Sequence, residues 1–152
     1  MTLVELLHDQ QNDILHAAFE SVKRSQLKSY ANAGDAHTQQ RLKALFVLTV
    51  RAIKERNLGP MIAHTETIAH ERFAAGYDLS EVQTAFNVLE EAIWICVLKS
   101  LPPTEYAESL GLVSTVLGAG KDSLARRYVS LASKTKATSL NRQSIFSGTE
   151  GS

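Results

Sequence analysis

One junction constrains the fold of this chain more than any other stretch. It is Gly76-Tyr77-Asp78-Leu79-Ser80-Glu81-Val82, followed by an apolar run through Leu98. Asp78 has the chemistry of a helix N-cap, because its carboxylate can accept from the free backbone N–H groups of a first turn. Glu81, three residues on, can reach back to the cap's own N–H and complete a capping box. Tyr77 and Val82 flank the cap at the spacing of a hydrophobic staple. Gly76 can end a preceding helix in the left-handed conformation. Stop and start signals therefore meet at one helix–helix junction.

At about 100° per residue, Val82, Ala85, Phe86, Leu89, Ala92, Ile93, Cys96 and Val97 fall on one stripe, which faces a core. Trp94, Ile95 and Leu98 are apolar too and point away from it. A helix apolar all round is covered on more than one side. Its second half either runs through the middle of the fold or meets a second surface, a partner subunit or a ligand.

The remaining segments read as helices with short joins. A first helix spans about Thr2 to Tyr30, capped by Thr2 with Glu5; Leu3, Leu6, Leu7, Ile14, Ala17, Ala18 and Ser21 share its face. The polar insert from His8 to Asp13 allows a break. A second helix spans Ala36 to Arg56, with Leu42, Leu45, Phe46, Thr49, Val50 and Ile53 inward. Gly59 as stop and Pro60 as start lead into a third, Pro60 to Ala75, with Ile62, Ala69 and Phe73 inward and Glu66 and His70 at the stripe's edge. A fifth runs from Thr104 to Ser133, with Tyr106, Leu110, Val113, Val116, Leu117, Leu124, Tyr128 and Leu131 on one face. Gly120 on that face allows a close helix approach or a bend, and with Gly111 and Gly118 nearby a kink between Leu117 and Lys121 is expected. From Lys134 the chain turns rich in Ser, Thr, Lys and Gly. Residues 134–152 read as a flexible C-terminal tail, with a docked piece around Ile145-Phe146. The expectation is an all-α fold: a single helical domain over 1–133, of about five helices, globin-like or an elaborated bundle.

The 152 residues suffice for one domain with a real core. Lys plus Arg equals Asp plus Glu, 16 of each, so no net charge argues for nucleic acid or a membrane surface. The signs are segregated, however. Lys23 to Arg56 is basic apart from Asp35 and Glu55, and Asn57 to Gly111 is acidic apart from Arg72 and Lys99. Such blocks mark helices that complement one another, solvated faces, or a charged docking surface. A single cysteine rules out an internal disulfide and suits a reducing cytoplasm. No run is long enough to span a bilayer, and the N-terminus lacks the basic start of a signal peptide. A cytoplasmic protein is expected.

Catalytic and cofactor chemistry finds little support. His64 and His70 lie six residues apart and point in different directions on a straight helix. Glu66 and His70 share a face, and His8 and His16 are two turns apart, but each pair needs further ligands for a metal. No Glu-x-x-His spacing appears. No metal site is expected. A haem pocket would draw on His64 or His70 as its axial ligand; nothing else in the chain supports it. Cys96, on the buried stripe, reads as a small hydrophobe. Glu90-Glu91 and Arg126-Arg127 read as solvated charge. No nucleophile–base arrangement stands out, so the chain is not expected to be an enzyme. Trp94, with Ile95 and Leu98, is the candidate homodimer or partner surface.

From Glu71-Arg72-Phe73-Ala74-Ala75-Gly76-Tyr77-Asp78 on through Val82, the chain resembles the N-terminal sensory domains of RsbR-type proteins, the RsbT co-antagonist family of RsbRD N-terminal type. The shared features are the arginine at a helix end, the Gly-Tyr turn, the polar cap and the long apolar helix, within about Leu42 to Leu131. The resemblance implies a globin-like fold without haem, often dimeric, that passes a stress or other signal to an output domain. It carries no catalytic residues. No output domain follows Ser133, so a complete chain would bind its signalling partner in trans, and a fragment would have lost that domain. The two other readings are a haem- or small-ligand-binding sensor and a helical scaffold that docks a partner through charged faces.

Overall fold

The computed structural model describes residues 1–146, and side-chain surroundings for 1–136. The described residues are helical with no strand: α1 (Leu3–Asp9), α2 (Gln11–Ser25), α3 (Lys28–Ala33), α4 (Asp35–Glu55), α5 (Gly59–Ala74), α6 (Leu79–Ser100), a 3₁₀ turn (Pro103–Glu105) and α7 (Tyr106–Phe146). That is seven α-helices where five were expected, because the first expected helix is three. No helix among the described residues is long and apolar enough to cross a membrane.

The first break falls at Gln10, inside the polar insert (φ −103, ψ 14). It rotates the face that α2 turns inward. Ala18, Phe19 and Val22 are buried, while Ala17 of the expected stripe is exposed. Gln26 then adopts the left-handed conformation and closes α2. The reciprocal cap at Thr2 is in place, with Glu5 N–H on Thr2 Oγ1 and Thr2 N–H on Glu5 Oε2, both 3.2 Å.

The join between α4 and α5 is built differently from the expectation. Arg56, not Gly59, takes the left-handed position (φ 52). Gly59 opens α5, its N–H held by Asn57 Oδ1 at 3.0 Å. The inward stripe of α5 is Met61, Thr65 and Ala69 at i, i+4 spacing. Ile62, expected inward, is exposed, and Phe73 is half-buried.

α4 touches every other α-helix, α5 lies along α7, and α6 packs between α2 and α7. The core gathers Leu6, Leu7, Leu42, Phe46, Met61, Phe86, Leu89, Ile93, Leu117 and Leu124 at their contacts. Its buried threonines bond within their own helices, Thr49 to the Leu45 carbonyl and Thr65 to the Ile62 carbonyl, both 2.8 Å. α7 runs unbroken through its glycines. A Cβ on Gly120 would stand 2.8 Å from Phe86 Cε1 and 3.2 Å from Met61 Sδ. This glycine therefore lets α7 approach α5 and α6. The helix also passes Ser133, where its end was expected, and continues to Phe146. The rest of the expected tail, 147–152, lies outside the described residues, as do the side chains of the expected docked piece Ile145-Phe146.

Candidate functional site

The Gly76 junction builds the most elaborate polar cluster in the described chain. α5 ends in a Schellman motif: Tyr77 N–H reaches the Arg72 carbonyl at 2.9 Å and Gly76 N–H the Phe73 carbonyl at 3.1 Å, with Gly76 at φ 84. Asp78 then caps α6, and Glu81 Oε1 accepts the Asp78 N–H at 3.0 Å. The same carboxylate accepts from Ser29 of α3, the N–H at 3.1 Å and the hydroxyl at 2.9 Å. Burial pulls the Glu81 carboxyl upward, but the bonds from Asp78 and Ser29 outweigh it and hold the group below its ordinary value.

The motif turns Tyr77 inward, and residues of α3, α4, α5 and α7 meet on it. Its hydroxyl donates to the Ser29 carbonyl at 3.2 Å and accepts from Arg41 Nη1 at 2.6 Å. Its carbonyl accepts from Tyr128 Oη of α7 at 3.2 Å. Tyr30 meets its ring edge-on, with centroids 5.8 Å apart. Two guanidinium groups flank the ring, Arg41 at 5.4 Å and Arg72 at 5.9 Å. Burial pushes the Tyr30 phenol well above its ordinary range and the Tyr128 phenol up to about 12. Both phenols stay protonated at neutral pH, and that of Tyr128 is the donor to the Tyr77 carbonyl.

Beside this cluster, α3, α4, α5 and α6 enclose a cleft of about 210 Å³. Its wall is Leu45, Ile68, Val82, Ala85 and Phe86, and Arg41, His64, Glu71 and Arg72 supply its charge and polarity. The Arg72 side chain is only 11% exposed and pairs with Glu71 at 3.1 Å. Burial, and then the nearby Arg41 charge, pull the Arg72 guanidinium below its ordinary value. Burial, and then the Arg72 charge, do the same to the His64 imidazole.

The second place is the outer face of α6. Trp94, Ile95 and Leu98 are 38%, 46% and 47% exposed and line a shallow depression with Asn87, Glu90 and Glu91. The far sides of the same helix are buried against α2 and α7.

Other candidates resolve individually. His64 faces the cleft, whereas His70 accepts from Arg127 Nε and Nη2 of α7 at 3.0 and 2.8 Å through Nε2. Arg127 carries only donors, so that nitrogen is the acceptor. Of the two expected haem ligands, His70 has its Nε2 engaged by Arg127, and His64 lines a cleft of about 210 Å³, below the roughly 300 Å³ at which sites for drug-sized ligands begin. No three His, Cys, Asp or Glu among the described residues gather to hold a metal. Glu90, expected in solvent, is half-buried and pairs with Lys121 at 3.6 Å; Glu91 is exposed. Arg126 pairs with Asp122 one turn away. Cys96 is half-buried, and burial raises its thiol above the ordinary value. Arg41 and Arg72 were absent from the sequence-level site residues. The available signal was Arg72 itself, one of two basic residues in an acidic block.

Comparison with protein-family models, with curated proteins and with solved structures returns no match.

Proposed function

We propose that this chain is a non-enzymatic regulatory domain of bacterial signal transduction, globin-like in fold, cytoplasmic, and working through protein–protein contact as a homodimer. The observation that carries this reading is the outward trio Trp94, Ile95 and Leu98 on a helix whose other sides are buried. The trio makes an apolar centre with Asn87 and Glu91 as a polar rim, the anatomy of an association patch. A two-fold axis through such a patch sets it against its own copy. The chain has no net charge to drive copies apart. The RsbR-type resemblance points the same way, toward a dimeric sensor in stress signalling that hands its state to a partner protein.

Sedimentation equilibrium tests this. The wild type is expected at twice the chain mass, and Trp94→Glu at the single mass with unchanged helical circular dichroism. A wild type that sediments as a monomer at high concentration removes the dimer.

A second reading, a small-ligand sensor, is favoured by the cleft at Arg41, Arg72 and His64. Its haem version is not, for the reasons of size and engagement given above. Docking through segregated charge draws less support, because the helices spend part of that charge on one another, as at Lys121–Glu90 and Arg56–Glu108.

A further inference from the structure

We propose that the cleft beside Tyr77 binds a small organic monocarboxylate, with its charged end toward Arg41 and Arg72 and a compact apolar body against Ile68, Val82 and Phe86. The inference gives the small-ligand reading a chemical class and does not depend on the dimer.

Charge is the first argument. Arg41 and Arg72 stand on the same tyrosine ring, and each is an obligate cation. Glu71 is paired with Arg72, and among the described residues no carboxylate forms an ion pair with Arg41. Among the residues that line the cleft, these two cations face the single carboxylate of Glu71, an excess of one positive charge that one anion balances; the Glu81 carboxylate, bonded to Ser29 and Asp78, is outside that lining. The like charges already act on each other: Arg41 helps pull Arg72 downward, and Arg72 helps pull His64 downward. An anion in the cleft that both of them line would relieve both.

Shape and polarity narrow the class. Most of the cleft wall is apolar, from Leu45, Ile68, Val82, Ala85 and Phe86. A bare phosphate would leave that wall unused and would bring a second negative charge with nothing to meet it. Size sets the body. A cavity of about 150 Å³ holds benzene, so 210 Å³ suits one ring or a short branched chain carrying a carboxylate. Nucleotides and haem exceed it. Guanidinium groups match a carboxylate through paired N–H donors, and Tyr30, at the same cleft, keeps its phenol proton for a further bond.

Isothermal titration calorimetry on the full chain tests the proposal with benzoate as the probe. Benzyl alcohol supplies the body without the charge, and inorganic phosphate the charge without the body. Benzoate is expected to bind saturably at one per chain, with both controls at least about tenfold weaker. Arg41→Met should lose benzoate binding at least about tenfold. That arginine also bonds Tyr77, so a second variant guards against misfolding. Ala44 lies exposed at the mouth of the cleft, and Ala44→Glu places a like charge there without touching the core; it too should lose benzoate. In a nuclear magnetic resonance titration, saturating benzoate should move the His64 ring transition to higher pH. Trp94→Glu should bind benzoate as the wild type does, whatever its mass. The proposal is overturned if benzoate gives no saturable heat, if phosphate or benzyl alcohol equals it, or if Ala44→Glu binds it unchanged.

Discussion

Three glycines of α7 carry the same helix-propensity penalty and differ once packed. A Cβ on Gly120 meets Phe86 and Met61, both fully buried, whereas Gly111 and Gly118 have nothing within 4 Å. Helix propensity favours alanine at each by about 1 kcal/mol. At Gly120 that gain is set against overpacking, which costs about 1–3 kcal/mol, and the ring edge of a buried Phe86 has little room to yield. Gly120→Ala is expected to lower the urea midpoint by the equivalent of up to about 2 kcal/mol, and Gly118→Ala to raise it by up to about 1 kcal/mol. Equal shifts in one direction would show that α7 does not approach its neighbours at Gly120.

Helices in this chain are tied at their ends as much as along their faces. Glu81 joins the start of α6 to the start of α3, through the Asp78 N–H on one side and Ser29 on the other. Its carboxyl titrates below the unfolded value of 4.5 when folded. Its stabilising contribution is therefore complete above that value and is lost as pH falls through the lower, folded one. Glu81→Gln keeps the shape but lacks the charge and one acceptor. It should cost about 1–2 kcal/mol at neutral pH and almost nothing at about pH 2. Urea denaturation of both proteins across that range checks it, and a pH-independent difference would remove the electrostatic account. The same junction orients Tyr77 and starts the turns of α6 whose Val82, Ala85 and Phe86 line the neighbouring cleft.

At the scale of the whole molecule, the exposed ion pairs that join different helices among the described residues are long. Lys23–Asp35 is 3.8 Å and Arg56–Glu108 is 3.9 Å, with side chains more than half exposed. Such pairs contribute about 0–1 kcal/mol each and are screened by salt. The stability of the protein rests on its apolar contacts, and raising salt from about 0.05 to about 0.5 M should change it by under about 1 kcal/mol. A larger loss would assign structural weight to the charge blocks. Much of the architecture was legible beforehand. The caps at Thr2 and Asp78, the stop at Gly76 and the inward stripes of α4 and α6 are local matters of hydrogen-bond chemistry and 3.6-residue periodicity, which a chain carries wherever it is placed. Less local features were not legible. The break at Gln10 swings the buried face of α2 off Ala17, and α5 turns Met61 inward instead of Ile62, because tertiary neighbours select among apolar residues only 100° apart. The cleft depended on tertiary structure entirely. Arg41 and Arg72 are far apart in sequence and neither is remarkable alone; they meet because the turn at Gly76 buries the Tyr77 ring between α4 and α5. Backbone chemistry within a few residues determined where the helices begin and end, and packing between distant helices decided which side chains share a surface.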